Sequence, residues 1–194
     1  MTLIRVNPAS VQTYGGAAQQ TFEAMRGTLE SLVGDVIGVH YFGPNSVQFK
    51  TQSGQLAAQF ANSLNADMGA MANSVRASTS NIAGSLGGAA ISIEVLGTAI
   101  TPGEVAAVDY VDVDTTALES LIPVVTTRFT SLREGLTSHL TALQNTDWEG
   151  NAKVAAVEAV SAYTTSAQAK CDTAEASITS YVRTQIDSVT AADV

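Results

Sequence analysis

The chain has 194 residues, which is enough for one large domain or two small ones, and only 6% of them are aromatic. Its formal net charge is −9. Residues 1–100 hold four basic and five acidic side chains, whereas residues 101–194 hold five basic and thirteen acidic ones. Such an acidic chain argues against a nucleic-acid partner and fits anionic lipid poorly. The many small residues favour closely packed helices over a wide core.

Two helices are predicted in the first half. Asn7-Pro8 indicates the first start, because Asn can cap free amides and Pro is tolerated at the first helical position. Apolar or small residues then recur at alternating spacings of four and three, which predicts one buried face. This stripe consists of Val11, Gly15, Ala18, Phe22, Met25, Leu29, Leu32 and Val36. The second helix is predicted to fray near Gly84 or Gly87-Gly88. Its stripe consists of Ala57, Phe60, Leu64, Met68, Met71, Val75, Ser78 and Ile82.

Two further helices are predicted in the second half. The third follows Asp114, with a capping box between Thr116 and Glu119. Its stripe consists of Leu118, Ile122, Val125, Phe129, Leu132, Leu136, Leu140 (or His139) and Leu143. The fourth begins around Asn151. Its stripe consists of Val154, Val157, Ser161, Thr164, Ala167, Cys171, Ala174, Ile178, Val182, Ile186 and Val189.

The segment 88–114 between these halves has a different pattern, in which branched apolar residues alternate with others. A β-hairpin here would pair Ile93 with Val111 and Ile91 with Val113. The alternative is an irregular linker.

The stretch Ile82–Ile100 is apolar or small except for Glu94. One interpretation is conditional membrane insertion, as a pore-forming helical protein would use. Four glycines and the central Glu94 disfavour a stable span, so a joint of small residues is the main interpretation.

Each pair of helices is joined by a short turn. Tyr41-Phe42-Gly43-Pro44 and Trp148-Glu149-Gly150 both place an aromatic residue two positions before a glycine, and the two turns lie 107 residues apart. Gly supplies a backbone conformation that other residues avoid, and a large aromatic can cover the helix ends. The sequence therefore predicts two consecutive copies of one helical hairpin.

The predicted fold is mainly α, with two antiparallel helical hairpins in an elongated four-helix bundle and a small β-hairpin or linker between them. The predicted ranges are 1–87 for the first hairpin, 88–114 for the linker or β-hairpin, and 115–194 for the second hairpin.

The second turn, Trp148-x-Gly150-x-Ala152, resembles the signature of the WXG family, the helical-hairpin substrates of type VII secretion systems. The segment from Tyr41 to Phe49 resembles another form of this turn, with Tyr41 in place of the family Trp. The resemblance covers about 7–87 and 115–190 and implies a tandem repeat of two modules. Since family members pair into four-helix bundles, this chain would be a monomeric pseudo-dimer, or a homodimer that swaps hairpins.

The resemblance implies a secreted or secretion-associated protein of a Gram-positive type VII pathway, acting through protein recognition. Its implied partner is the secretion ATPase or another secreted protein. The N-terminus lacks the basic segment and apolar core of a cleavable signal, so export from the cytoplasm to the medium or cell surface would use another route.

The family also carries an export signal, Tyr-x-x-x-Asp or Glu, and the sequence matches it at Tyr110 and Asp114. The alternative for this stretch is a strand end that runs into the cap of the third helix. For Trp148, the resemblance implies turn shaping and, as an alternative, docking at an exposed bundle end.

Catalytic, metal and cofactor sites are not predicted. The single cysteine, Cys171, falls in an apolar stripe and is expected to be a buried thiol. His40 and His139 are too few to hold a metal without further ligands at suitable spacing. Phosphate loops, dinucleotide fingerprints and nucleophile elbows are missing from the sequence. A structural helical component of a phage or cell surface is the remaining alternative.

Overall fold

The computed structural model describes residues 4–86, 90–95 and 97–192. Four long helices pack against one another and are accompanied by short antiparallel strand pairs, so the predicted mainly-α four-helix bundle is confirmed. In chain order the elements are β1 (Arg5–Val6), α1 (Pro8–Gly38), β2 (Tyr41–Phe42), α2 (Pro44–Leu86), β3 (Asp112–Val113), α3 (Thr115–Gln144), β4 (Trp148–Glu149) and α4 (Asn151–Ala192).

A short polar side chain caps the first helix of each hairpin. The Asn7 Oδ1 atom accepts hydrogen bonds from the amides of Ala9 and Ser10, at 3.1 and 3.3 Å, as predicted for α1. At α3, Asp114 Oδ1 accepts from the amides of the second and third helical residues, at 2.9 and 3.2 Å. The predicted capping box of Thr116 and Glu119 is wrong, because α3 begins at Thr115 and Asp114 therefore occupies the capping position.

Most positions of the predicted stripes are buried. On α3, Ile122 is half-buried and its neighbour Leu121 is buried. Further along α3, His139 is the buried residue and Leu140 is half-buried. On α4 Val154 is 54% exposed, whereas Ala156 and Val160 are buried. Positions 154 and 156 differ by roughly 200° around a helix, so the first turn of α4 faces the core with the opposite side from the one predicted. The side chain of Ile82, the last position of the α2 stripe, and the fraying site Gly87-Gly88 lie outside what the structure describes.

The chain divides into two compact units, and each unit contains segments of all four helices. Unit 1 comprises Met1–Arg26, Leu64–Gly97 and Arg133–Ala169. Unit 2 comprises Gly27–Ser63, Thr98–Leu132 and Lys170–Val194. These units follow spatial contacts, whereas the predicted ranges 1–87, 88–114 and 115–194 follow sequence order and stay a prediction.

Each unit holds one antiparallel strand pair. In unit 1, β1 pairs with β4, so that Val6 lies opposite Trp148. In unit 2, β2 pairs with β3, so that Tyr41 lies opposite Val113. The predicted pairing of Val113 with Ile91 is therefore wrong, and so is that of Val111 with Ile93, because the strand partner of this segment is the first aromatic turn.

The described residues between α2 and β3 have no regular secondary structure, but they are anchored to the helices. In unit 1, Ile91 and Ile93 are buried, and Ile91 occupies the space that a side chain at Gly15 would need. In unit 2, the Asn62 side-chain amide donates to the Ile100 carbonyl at 2.9 Å and accepts from the Ile100 amide at 2.8 Å. The segment is therefore a linker without regular secondary structure that these contacts hold against the helices.

The membrane interpretation concerned Ile82–Ile100, of which residues 87–89 and 96 lie outside the description. Within the described parts of the chain, every helix falls short of the combined length and apolar character that a membrane span requires.

Candidate functional site

The two aromatic turns share one backbone feature, a glycine with positive φ. Gly43 and Gly150 have φ values of 130° and 124°, and among the described residues they are the ones with positive φ. L side chains rarely adopt this conformation, which explains the glycine at each turn. Pro44 then begins α2, where its missing amide proton costs no helical hydrogen bond.

Both turn aromatics point into the protein. Tyr41 is 4% exposed, its ring packs 5.8 Å from Phe49, and its hydroxyl accepts a hydrogen bond from Gln185 Nε2 at 2.9 Å. Trp148 is 1% exposed, and its indole N–H has no hydrogen-bond partner among the described residues. A side chain this deeply buried offers a partner almost no surface. The geometry of Trp148 therefore fits turn shaping and does not fit docking at an exposed end.

The candidate signal, by contrast, lies partly in solvent. Tyr110 is 57% exposed and Val111 is 73% exposed. The Tyr110 ring centroid lies 6.2 Å from that of Phe42, so the signal touches the first turn in unit 2. Asp114 has the capping role that the alternative interpretation gave it, through its Oδ1 atom. The structure thus brings Tyr110 to the turn and places Asp114 at the start of α3.

Phe42 is the centre of a small cluster that sequence reasoning missed. Lys50 Nζ lies 4.7 Å from the Phe42 ring centroid, and the His40 ring meets Phe42 edge-on at 5.0 Å. His40 Nε2 also lies 3.1 Å from Asp112 Oδ2. Lys50 is 5% exposed, and burial lowers the pKa of its amine. A lysine two turns into α2 was the available sequence signal, but its contact with Phe42 depends on the turn geometry.

A groove of about 720 Å³ lies beside this cluster in unit 2. Its walls come from the turn 41–45, from β3 and its flanking residues within 111–115, and from the end of α4 within 185–192. Among the described residues, every one that lines it is uncharged. Three segments that are remote in sequence form the groove, so periodicity gave no sign of it.

Unit 1 holds a buried polar pair instead. Tyr14 and His139 are 4% and 0% exposed, and the Tyr14 hydroxyl lies 2.8 Å from His139 Nε2. Phe22 packs against the imidazole at a centroid distance of 4.6 Å. Burial lowers the pKa of His139 to about 4 and raises that of Tyr14. His139 Nδ1 has no hydrogen-bond partner among the described residues.

The remaining candidates do not converge on a site. Cys171 is fully buried on α4. His40 belongs to unit 2 and His139 to unit 1. In the part of the chain that the structure describes, no three His, Cys, Asp or Glu side chains are grouped so as to hold a metal ion.

Comparisons of the chain with protein-family models, with curated proteins and with solved structures found no match.

Proposed function

We propose that this chain is a WXG-like secreted or secretion-associated protein of a Gram-positive type VII pathway, and that it works by protein recognition and not by catalysis. The observation that carries the proposal is the contact between Tyr110 and Phe42. Through it, an exposed tyrosine four residues before Asp114 lies against an aromatic-x-Gly turn.

The recognition surface consists of Phe42, Tyr110 and Val111, and we call it the turn–signal surface. The exposure of its side chains supports this assignment. Tyr110 and Val111 are large apolar side chains that lie largely in solvent, which is common on protein-binding surfaces. Tyr41 and Gly43 hold the turn in place beneath it. At the other turn, Trp148 and Gly150 have the same supporting role and no contact with the partner.

The partner is the secretion ATPase or another secreted protein. Export takes the chain from the cytoplasm to the medium or cell surface. Each compact unit contains segments of all four helices of the same chain, which supports a monomeric pseudo-dimer over a swapped homodimer. Light scattering on the purified protein would return the mass of one 20.0 kDa chain in the first case and of two chains in the second.

The test is export from the native host with and without an active type VII ATPase. The wild-type chain is expected in the medium only when the ATPase is active. Tyr110→Ala is expected to reduce export about tenfold, while leaving the folded state intact because the side chain is 57% exposed. Val154→Ala removes a side chain of similar exposure on α4 and serves as the matched surface control.

Asp114 needs a second control, because Asp114→Ala also removes a helix cap. Asn7→Ala removes the corresponding cap of α1 at a similar cost of about 1 kcal/mol. If Asp114 is part of the signal, only Asp114→Ala blocks export. Export that does not depend on the ATPase, or that Tyr110→Ala leaves unchanged, would contradict the proposal.

A further inference from the structure

The walls of the groove in unit 2 combine apolar and uncharged polar side chains. Phe42, Val111, Val113 and Val189 contribute to its walls, together with uncharged polar residues such as Gln185 and Thr190. A volume of about 720 Å³ is in the range of sites that receive several side chains of a ligand. Val111, on its wall, is 73% exposed and therefore keeps most of its apolar surface in water.

The rim of the groove, taken as the residues within two sequence positions of its lining residues, carries more acidic than basic side chains. The segment 109–115 carries Asp109, Asp112 and Asp114 and no basic residue. Along the last turns of α4, residues 183–192 carry Asp187 and a single cation, Arg183. Asp109 and Asp187 are exposed, so their carboxylates are hydrated. The turn 41–45 adds no charge. In the neighbouring cluster, Lys50 is 5% exposed and His40 lies 3.1 Å from Asp112. The exposed aspartates therefore give the border of the groove a net negative charge.

We infer that this groove binds a segment of another protein in which apolar side chains are flanked by lysine or arginine. The apolar residues would fill the groove, and the cations would face the carboxylates of the rim. The inference rests on the proposed function, since the groove adjoins the turn–signal surface, and it adds the chemistry of the partner. A second copy of this chain fits poorly, because two surfaces of net negative charge would repel each other.

The first experiment selects random dodecapeptides, displayed on phage, against the full chain. A parallel selection uses Ala192→Trp, which places an indole in the groove from the exposed end of α4. The expected result is enrichment of peptides that combine apolar residues with Lys or Arg on the wild-type chain, and loss of that enrichment on the variant. Enrichment of acidic or uncharged peptides, enrichment that survives Ala192→Trp, or no enrichment would overturn the inference.

The second experiment measures the binding of the enriched peptide by fluorescence anisotropy. The double variant Asp109→Lys with Asp187→Lys reverses the rim and leaves the walls unchanged, and it is expected to weaken binding about tenfold. The double variant Glu134→Lys with Glu158→Lys, at exposed positions of unit 1, changes the net charge equally and is the matched control, which should bind like the wild-type chain. Raising the salt from about 50 to about 300 mM should weaken wild-type binding as well. Binding that is insensitive to the rim would overturn the charge argument.

These results separate this inference from the proposed function. If the basic peptide binds in the groove but export does not depend on the ATPase, the groove assignment stands and the secretion proposal fails. If export depends on the ATPase and on Tyr110 but no basic peptide is selected, the secretion proposal stands and the groove assignment fails.

Discussion

The turn at Trp148 and the turn at Tyr41 share a backbone design but differ in their surroundings. Each aromatic-x-Gly turn pairs with the two residues that precede the first helix of the other hairpin. The offset of 107 residues holds for the strands and for the caps, since Asn7 corresponds to Asp114. In unit 2, the turn borders an open groove and the exposed Tyr110. In unit 1, the strand opposite Trp148 begins with Arg5, which lies 3.9 Å from Asp147.

The cores of the two units differ at matching positions as well. Unit 1 buries Tyr14 and His139, and the residues 107 positions away from them are Leu121 and Leu32, which are buried in unit 2. The repeated backbone therefore tolerates either a polar pair or two leucines. We conclude that the repeated turn and strand pair maintain the fold, whereas the side chains around each copy can differ.

The largest expected effect is at the turn aromatic of unit 1. Trp148→Ala should lower the free energy of unfolding by about 3–5 kcal/mol, because it leaves a large cavity in a core position that is 1% exposed. Urea denaturation followed by circular dichroism measures this loss. Glu149→Ala, at the exposed neighbour, should change stability by no more than about 0.5 kcal/mol. Equal effects of the two substitutions would show that the turn aromatic is not a core residue.

The next effect distinguishes the cores by pH. Burial lowers the pKa of His139 from 6.5 to about 4, so the unfolded chain binds the proton first as the pH falls. Stability is therefore complete above about pH 6.5, declines as the pH falls towards 4, and loses roughly 3 kcal/mol in total from this group. Urea titrations at several pH values measure this decline.

The double variant Tyr14→Phe with His139→Leu is the matched comparison for this pH effect. It brings unit 1 close to the leucine pair of unit 2 and avoids leaving the tyrosine hydroxyl without a partner. Its stability should lack the His139 component between pH 6.5 and 4, while the carboxylates continue to titrate. An identical pH profile in both proteins would refute the role of the buried imidazole.

A smaller effect tests the shared backbone. Gly43→Ala should cost about 1–2 kcal/mol, because alanine is strained at a φ of 130° and its Cβ would lie 3.2 Å from Val111 Cγ2. Gly150→Ala should cost about as much through its φ of 124°. Gly16→Ala, inside α1 with open space around it, should instead stabilise the protein by about 0.5–1 kcal/mol. Thermal melting of the three variants ranks them, and a neutral Gly43→Ala would mean that the turn tolerates another conformation.

The smallest effect compares the two caps. Asn7→Ala and Asp114→Ala should each cost about 1 kcal/mol, because each removes an acceptor from two backbone amides. Chemical denaturation of both variants provides the measurement. A difference of more than about 1 kcal/mol between them would show that the two hairpin starts are not equivalent.

The sequence was sufficient for the helices because their signal is local. Alternating spacings of four and three mark the buried stripes, and the positive φ of Gly43 and Gly150 agrees with the turn argument. The choice between His139 and Leu140 stayed open, because adjacent residues on a helix are both near the edge of a stripe.

The errors and omissions come from long-range structure. Alternation at Val113 indicated a strand, but nothing local identified Tyr41 as its partner in place of Ile91. The Thr116 and Glu119 box failed because the competing cap, Asp114, lies two residues earlier. The groove could not be foreseen, since its walls meet only after the chain has folded.

The strand pairing also has a consequence for a cleaved chain. Glu104 is exposed in the linker, where a protease could cut the chain into two fragments. One fragment would then carry Arg5 and Tyr41, and the other would carry their strand partners Glu149 and Val113. In both units these partners would still be paired, so the two fragments would remain one folded particle. Each fragment would then act as a ligand of the other, and the melting temperature of the nicked protein would rise with its concentration.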